Sequence, residues 1–206
     1  IGQAEKLANR ARQLSVEQLK GLMGISDKLA QLNYDRFQAF SPPFTEENSL
    51  PAVFMFAGDT YLGLDARSLE KEDLDFAQKH LGILSGLYGL LRPLDRMQPY
   101  RLEMGSKLSN SRGNDLYEFW GERIAAEINS RIAGHTDPSI INLASQEYFR
   151  SVLSGGLSNV IVPQFKERRN GKLKIISFSA KRARGAMARF IVRNRLETPD
   201  ATKGFD

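Results

Sequence analysis

The chain has 206 residues, of which 41% are hydrophobic and 26% charged, and it carries a formal net charge of +5. These values are typical of a folded globular protein and exclude an intrinsically disordered or collagen-like chain. The absence of cysteine excludes disulfide scaffolds, thiolate metal sites and cysteine nucleophiles, and it fits the reducing cytoplasm, where we expect the protein to act. No apolar run is long enough to span a bilayer, so we expect no membrane partner.

Helical spacing of apolar residues predicts three consecutive helices near the start of the chain. The first helix covers residues 4–14. Ser15 and Gln18 form a capping box that predicts the start of a second helix, which ends at Gly24. Ser26 is the predicted N-cap of a third helix, which ends before a pair of prolines because proline lacks the amide hydrogen.

The middle of the chain is predicted to combine a short strand with longer helices. The unbroken apolar run Ala52–Ala57 is typical of a strand that is buried on both faces. A helix over residues 70–84 follows, with acidic residues in its first turn, where they suit the helix dipole. Another helix is predicted to begin at Asn114 or Asp115.

Short strands and a final helix are predicted in the last third of the chain. The dipeptide Asn170-Gly171 predicts a β-hairpin turn, because it lies between two apolar runs. The predicted elements are strands at Ile140–Leu143, Val160–Val162 and Lys172–Phe178 and a helix at Ala180–Leu196. The whole pattern predicts one α+β domain over residues 1–206.

The positive charge is concentrated near the end of the chain. Residues 166–195 contain eleven basic residues and one acid, so this segment has a net charge of +10 and the remaining chain −5. On the last predicted helix, Arg182 and Arg189 share the face opposite the apolar residues, with Lys181 and Arg184 beside them. Such a face is either solvated surface or a polyanion-binding site, and its charge density favours sequence-independent binding to nucleic acid.

The segment LSGLYGLLR, residues 84–92, predicts a tight glycine turn between two helices. This arrangement is similar to a helix–hairpin–helix, in which backbone amides at the start of the second helix hold a phosphate without reading the bases. An ordinary turn between helices is the alternative. The residues of the expected phosphate contact are Ser85, Gly86, Leu87, Tyr88 and Gly89.

A polar stretch with alternating charges follows between residues 92 and 103. Its arginines can clamp a phosphate beside a carboxylate that acts as general base, or the same charges can form salt bridges that hold an irregular loop. The residues of this candidate pocket are Asp27, Lys28, Asp95, Tyr100 and Glu103. The function that such a pocket implies is an enzyme acting on a small phosphorylated or nucleotide-like substrate.

Several familiar sites have no signature in the sequence. It contains neither a phosphate-binding G-x-x-x-x-G-K-[ST] loop nor a dinucleotide-binding G-x-G-x-x-G fingerprint. The two histidines, His80 and His135, lie far apart in the sequence, so we expect neither a multi-histidine metal site nor a conventional Ser-His-Asp triad. No cofactor is therefore predicted.

Long motifs across nearly the whole chain are similar to those of one known family. They are ISDKLA (25–30), FAGDTYLGL (56–64), LSGLYGLLRPLDRMQPYRLEMG (84–105), LYEFWG (116–121), INLASQEYF (141–149) and KRARGAMARFI (181–191), with GF at 204–205. The sequence resembles in these motifs the YaaA family, the peroxide stress resistance proteins of bacteria. From this resemblance we expect the given sequence to lack the family's opening strand and the tail beyond Phe205.

The resemblance implies a cytosolic protein of the hydrogen peroxide response that limits iron-driven oxidative damage and binds double-stranded DNA. It also implies a mixed α/β domain with a positively charged cleft and a helix–hairpin–helix element, which falls here on Ser85–Gly89. The residues expected at the DNA are those of the hairpin and Arg92, Arg96, Arg101, Lys181, Arg182 and Arg184, to which the basic helix adds Arg189.

Three functions follow from these observations. Peroxide-scavenging proteins usually act through a cysteine thiolate, haem or a metal centre, and the sequence shows no ligands for these, so we expect protection by binding. The main hypothesis is a non-catalytic protein that binds double-stranded DNA largely without sequence preference. An enzyme with the pocket around residues 92–103 is the alternative, and a module that binds an acidic protein is the third. The oligomeric state stays open, with a monomer as the simplest case.

Overall fold

The computed structural model describes residues 1–169, 172–174 and 177–205, which form a helix-rich fold with small two-stranded sheets, compatible with the predicted α+β class. The α-helices are Gly2–Arg12 (α1), Val16–Met23 (α2), Asp27–Ala39 (α3), Ala52–Met55 (α4), Asp59–Leu64 (α5), Lys71–His80 (α6), Leu116–Trp120 (α7), Arg123–Ile132 (α8), Gln146–Phe149 (α9) and Ser177–Arg193 (α10). The β-strands are Leu50–Pro51 (β1), Ile83–Ser85 (β2), Gly89–Leu91 (β3), Arg96–Met97 (β4), Ile140–Ile141 (β5), Val160–Ile161 (β6), Glu167–Arg169 (β7) and Lys172–Lys174 (β8).

The three N-terminal helices confirm the prediction, and local side chains cap the starts of the second and third. The Ser15 hydroxyl accepts a hydrogen bond from the Gln18 amide at 3.2 Å, and the Gln18 side chain accepts one from the Ser15 amide at 2.8 Å. Gly24 ends α2 in the left-handed conformation, with φ at 61°. Ser26 caps α3 through the amide of Leu29.

The strands pair two by two. β1 with β4, β2 with β3 and β7 with β8 are antiparallel, whereas β5 and β6 are parallel. The strands predicted at Ile140–Leu143 and Val160–Val162 are thus confirmed in a shorter form. The predicted turn Asn170-Gly171 lies outside the described residues, although the strands on either side of it pair as a hairpin requires.

The prediction of a buried strand at Ala52–Ala57 is wrong. Its first four residues form the short helix α4, whose leading amides, of Ala52 and Val53, donate to the carbonyls of Asp95 and Pro93. The hydrophobic periodicity of a short apolar run does not distinguish a strand from a buried helical turn. The conformation therefore depends on the segment at residues 93–95, to which these amides are bonded.

Three helix predictions need smaller corrections. The helix predicted over residues 70–84 ends at His80, and Ile83–Ser85 is a strand. The helix that begins after Asp115 is interrupted at Gly121, where φ is 51°, so it is divided into α7 and α8. The last helix, α10, begins at Ser177, inside the stretch predicted as a strand, and ends at Arg193. Within the described ranges, no helix is both long and apolar enough to cross a membrane.

Two groups of buried side chains form the core, and Tyr88 and Tyr100 pack against both. The first group lies between the N-terminal helices and α7 and α8, and includes Leu7, Leu19, Phe37, Phe119 and Ile124. The second lies between α4, α5, α6 and α10, and includes Ala52, Leu64, Phe76, Met97 and Val192. This second group fixes the position of α10 and therefore of the basic residues on it.

Candidate nucleic-acid interface

The basic helix α10 is held in place by its close crossing with α5. Gly63 of α5 and Gly185 of α10 lie at the crossing, where the two backbones touch. A Cβ on Gly185 would overlap the carbonyl oxygen of Thr60, and one on Gly63 would overlap that of Arg182. Only glycine allows this approach. The two glycines therefore determine how closely α10, with its cations, packs against α5.

Three cations in the first half of α10 are at least partly exposed. Lys181 and Arg182 are exposed and Arg184 is half-buried. Within the part of the chain that the structure describes, none of them has an ion pair or a side-chain hydrogen bond. Their charges are therefore available to an external anion without the loss of an internal partner.

A cleft of about 990 Å³ opens beside α10 and is lined by Lys181 and Arg184. Its walls also include the ends of α5, α6 and α8 and the strand β5. The cleft is not uniformly basic, because its lining carries charges of both signs. The cations are Lys79, Arg92, Arg131, Lys181 and Arg184, and the acids are Asp59, Asp137, Glu147 and Glu197. Arg92 and Arg131 are already paired with Asp95 and Glu127, so the unpaired positive charge belongs mainly to α10.

The structure places Arg189 against the protein, although the helical pattern put it on the exposed basic face. Its guanidinium donates to the carbonyl oxygens of Leu64 at 3.1 Å and Asp65 at 2.9 Å. These carbonyls end α5, where a positive charge also meets the negative end of the helix dipole. The prediction of Arg189 as a free surface cation is wrong because α5 packs across that face of α10.

The prediction of a helix–hairpin–helix at residues 84–92 is wrong. The segment is a β-hairpin in which Ile83 pairs with Leu91 and Ser85 with Gly89. Ser85, Gly86, Leu87 and Gly89 are buried and Tyr88 is half-buried, so the turn is not presented on the surface. Trp120 Nε1 donates to the Gly86 carbonyl at 3.0 Å, which holds the turn in the interior. Buried backbone cannot reach a DNA phosphate.

The charged residues between 92 and 103 are engaged with nearby partners. Asp95 and Arg96 share the lining of a pocket of about 530 Å³, whereas Arg101 and Glu103 line neither this pocket nor the cleft beside α10. The Arg92 guanidinium donates to Asp95 at 2.9 and 3.0 Å, and the Arg92 amide donates to the same carboxylate at 2.8 Å. Arg101 pairs with Glu103 at 2.8 Å. Arg96 donates to the loop before β1, to the Ser49 hydroxyl and carbonyl and the Thr45 carbonyl.

The remaining residues of the predicted pocket lie elsewhere. Asp27 forms an ion pair with Lys20 at 2.8 Å, which holds the pKa of the Asp27 carboxyl below its ordinary value, and Lys28 is exposed on α3. Neither residue lines the cleft beside α10. The geometry therefore favours salt bridges over a catalytic pocket in this region.

Tyr100 belongs to a buried hydroxyl cluster. Its hydroxyl lies 2.6 Å from Ser85 Oγ, which also accepts a hydrogen bond from the Tyr88 amide. The Tyr88 hydroxyl donates to the Gln98 carbonyl. Burial raises the pKa of both phenols above the ordinary tyrosine value, so the cluster stays uncharged and joins the two halves of the core.

His80 and His135 both line the cleft, and the sequence did not indicate that they lie close together. Their ring centroids lie 4.7 Å apart. No periodicity or spacing predicts this contact, because one residue ends α6 and the other follows α8. Among the described residues there is no group of three or more histidine, aspartate or glutamate side chains that could hold a metal ion.

A comparison with protein families agrees with the motifs of the sequence. A family model described as peroxide stress protein YaaA matches residues 1–206, which is the whole chain. The chain therefore belongs to the peroxide stress protein YaaA family.

Proposed function

We propose that this peroxide stress protein binds double-stranded DNA largely without sequence preference and thereby helps to limit iron-driven oxidative damage. The observation that carries the proposal is the group of three cations at the start of α10, Lys181, Arg182 and Arg184, beside an open cleft. Binding of such a cationic group to a phosphate backbone is favourable, because each phosphate that it neutralises releases a condensed counterion.

The distribution of charge supports a polyanion over a small acidic ligand. Residues 166–195 hold eleven of the 29 basic residues of the chain and a single acid. Arg189 and Arg195 are engaged with Asp65 and Asp73, so the external contact falls to the other cations. Contacts of this kind fix a protein on the duplex but carry no base information, which explains the expected lack of sequence preference.

The site of DNA contact differs from the one that the motif first indicated. The buried hairpin at Ser85–Gly89 is not part of it, and neither is Arg189. Three other arginines are engaged with partners within the protein and contribute only to the surrounding positive electrostatic field. They are Arg92, Arg96 and Arg101. The proposed contact therefore consists of Lys181, Arg182 and Arg184.

DNA binding is tested by titrating a fluorescent duplex at several salt concentrations. The variant replaces Lys181, Arg182 and Arg184 with alanine, and the matched control replaces three exposed cations outside the basic segment, Lys6, Arg67 and Lys107. We expect the first variant to lose about tenfold or more in affinity at low salt and its log–log salt slope to fall by up to about 3, while the control keeps the wild-type slope.

Two results would overturn parts of the proposal. An absence of binding by the wild-type protein at low salt removes the DNA function itself. Equal affinity of wild type and the α10 variant, both folded, removes α10 from the interface. Protection is tested separately by exposing supercoiled plasmid to ferrous iron and peroxide, where the wild type should reduce nicking and the α10 variant should not.

A small phosphorylated ligand is a second candidate, and the shape of the cleft favours it. A volume of about 990 Å³ lies at the upper end of ligand pockets, which span about 300–1,000 Å³. Lys181 and Arg184 would then hold the phosphate inside the cleft. Displacement of the bound duplex by ADP, with no such effect of adenosine, would support this candidate over a site for duplex DNA alone.

A further inference from the structure

Two histidines that are distant in the sequence meet on the wall of the cleft. His80 is the last residue of α6, and His135 follows α8. Their ring planes are inclined by 61° and their centroids are 4.7 Å apart. The chain contains no other histidine and no cysteine, so every imidazole of the protein lies at this one place.

The ring of His80 is held in one orientation and one tautomer. Its Nδ1 lies 2.9 Å from the carbonyl oxygen of Phe76, and because a carbonyl only accepts, Nδ1 must carry the hydrogen. In the neutral ring this leaves the lone pair on Nε2. The ring also stacks on that of Phe76 with the centroids 3.8 Å apart. Histidines that ligate metals are commonly oriented by such a hydrogen bond from the other ring nitrogen to a carbonyl.

We propose that His80 and His135 together bind one divalent transition-metal ion of the type that prefers imidazole, such as Zn²⁺, Ni²⁺ or Cu²⁺. Imidazole nitrogens are good ligands for these ions. With a metal–nitrogen distance of about 2.1 Å, the centroid spacing of 4.7 Å is compatible with both rings binding one ion at neighbouring coordination positions. Water completes the coordination, since the described residues supply no third histidine or carboxylate.

The charges that line the cleft lead us to expect only a modest affinity for the metal ion. Asp137 lines the same cleft, and its carboxylate accepts a hydrogen bond from the Ser139 amide at 2.9 Å. Arg131 also lines the cleft, but its charge is paired with Glu127 at 2.8 Å. Lys79 opposes a cation, so we expect binding weaker than at a closed structural zinc site with four protein ligands.

The site is tested by isothermal titration of the whole chain with ZnCl₂ and by electron paramagnetic resonance with CuCl₂. The variants are His80→Gln and His135→Gln, and Lys79→Gln is the control because it changes a neighbouring charge without removing a ligand. We expect one ion per wild-type chain, a loss of affinity of about tenfold or more in each histidine variant, and no loss in the control. The copper spectrum should show coupling to two nitrogen nuclei.

A readout from the wild type alone keeps the proposal falsifiable if a variant does not fold. The proton spectrum contains ring resonances from just two histidines, and both sets should shift together at one equivalent of Zn²⁺. Lowering the pH should release the ion, because a protonated imidazole cannot ligate. Two independent binding events, a shift of one histidine alone, or an affinity unchanged by either substitution would each overturn the proposal.

Discussion

Gly63 of α5 and Gly185 of α10 both lie where the two helices cross, each against the backbone of the other helix, and neither position has room for a side chain. A Cβ on Gly185 would meet the backbone of Thr60 and Leu64, and one on Gly63 would meet that of Arg182 and Ala186. Backbone atoms cannot move aside as the end of a flexible side chain can. This crossing therefore controls both the stability of the second core group and the placement of the α10 cations.

Replacing Gly185 with alanine should destabilise the protein by about 1–3 kcal/mol, because the added methyl group forces the two helices apart. Urea unfolding measures the change. The control is Gly21→Ala in α2, where an added Cβ meets no atom within 4 Å and the helix should gain up to about 1 kcal/mol. Equal stability of Gly185→Ala and wild type would contradict the close crossing.

Arg189 and Arg182 should respond in opposite ways to replacement by methionine, although both belong to α10. Arg189→Met loses the hydrogen bonds to the Leu64 and Asp65 carbonyls, which should cost about 1–3 kcal/mol of unfolding free energy. Its DNA salt slope should stay close to wild type. Arg182→Met should keep its stability and lower the slope. A fall of the slope with Arg189→Met alone would return that residue to the interface.

Tyr100→Phe should lower the free energy of unfolding by about 1–2 kcal/mol, because it removes a buried hydroxyl that lies 2.6 Å from Ser85 Oγ. Thermal or urea unfolding measures this loss. Tyr34→Phe is the matched control, since Tyr34 is half-buried and its hydroxyl makes no hydrogen bond to any residue that the structure describes. Similar stabilities of the two variants would show that the Ser85–Tyr100 contact contributes little.

Alkaline pH should unfold the protein through its buried tyrosines. Burial raises the pKa of Tyr148 from the ordinary 10.0 to about 12, and it raises those of Tyr61, Tyr88 and Tyr100 as well. The unfolded chain releases these protons near pH 10, whereas the folded chain retains them. The stabilising contribution is thus complete below about pH 10 and is lost as the pH rises toward about 12.

Phenolate absorbance and circular dichroism, followed together, test this dependence. We expect most of the phenolate signal to appear together with the loss of the native dichroism. Full ionisation of all the tyrosines near pH 10 in a protein that keeps its native dichroism would contradict the burial of the cluster.

The sequence by itself determined the features that depend on neighbouring residues. Ser15 with Gln18, and Ser26, set the starts of α2 and α3 through side chains that bond the adjacent backbone. The concentration of basic residues over 166–195 was also evident, because charged residues can be counted without knowledge of the fold. Family membership was evident from motifs that extend along the chain, and the family comparison confirms it.

Only the tertiary structure decided which of the remaining residues reach solvent or one another. The hairpin at Ser85–Gly89 and the helix at Ala52–Met55 are short, so contacts with distant segments outweighed their local preferences. Arg189 is engaged because α5 packs across α10, and His80 meets His135 because two helix ends converge at one cleft. Such contacts join positions that are far apart in the chain, so the local spacing of residues cannot predict them.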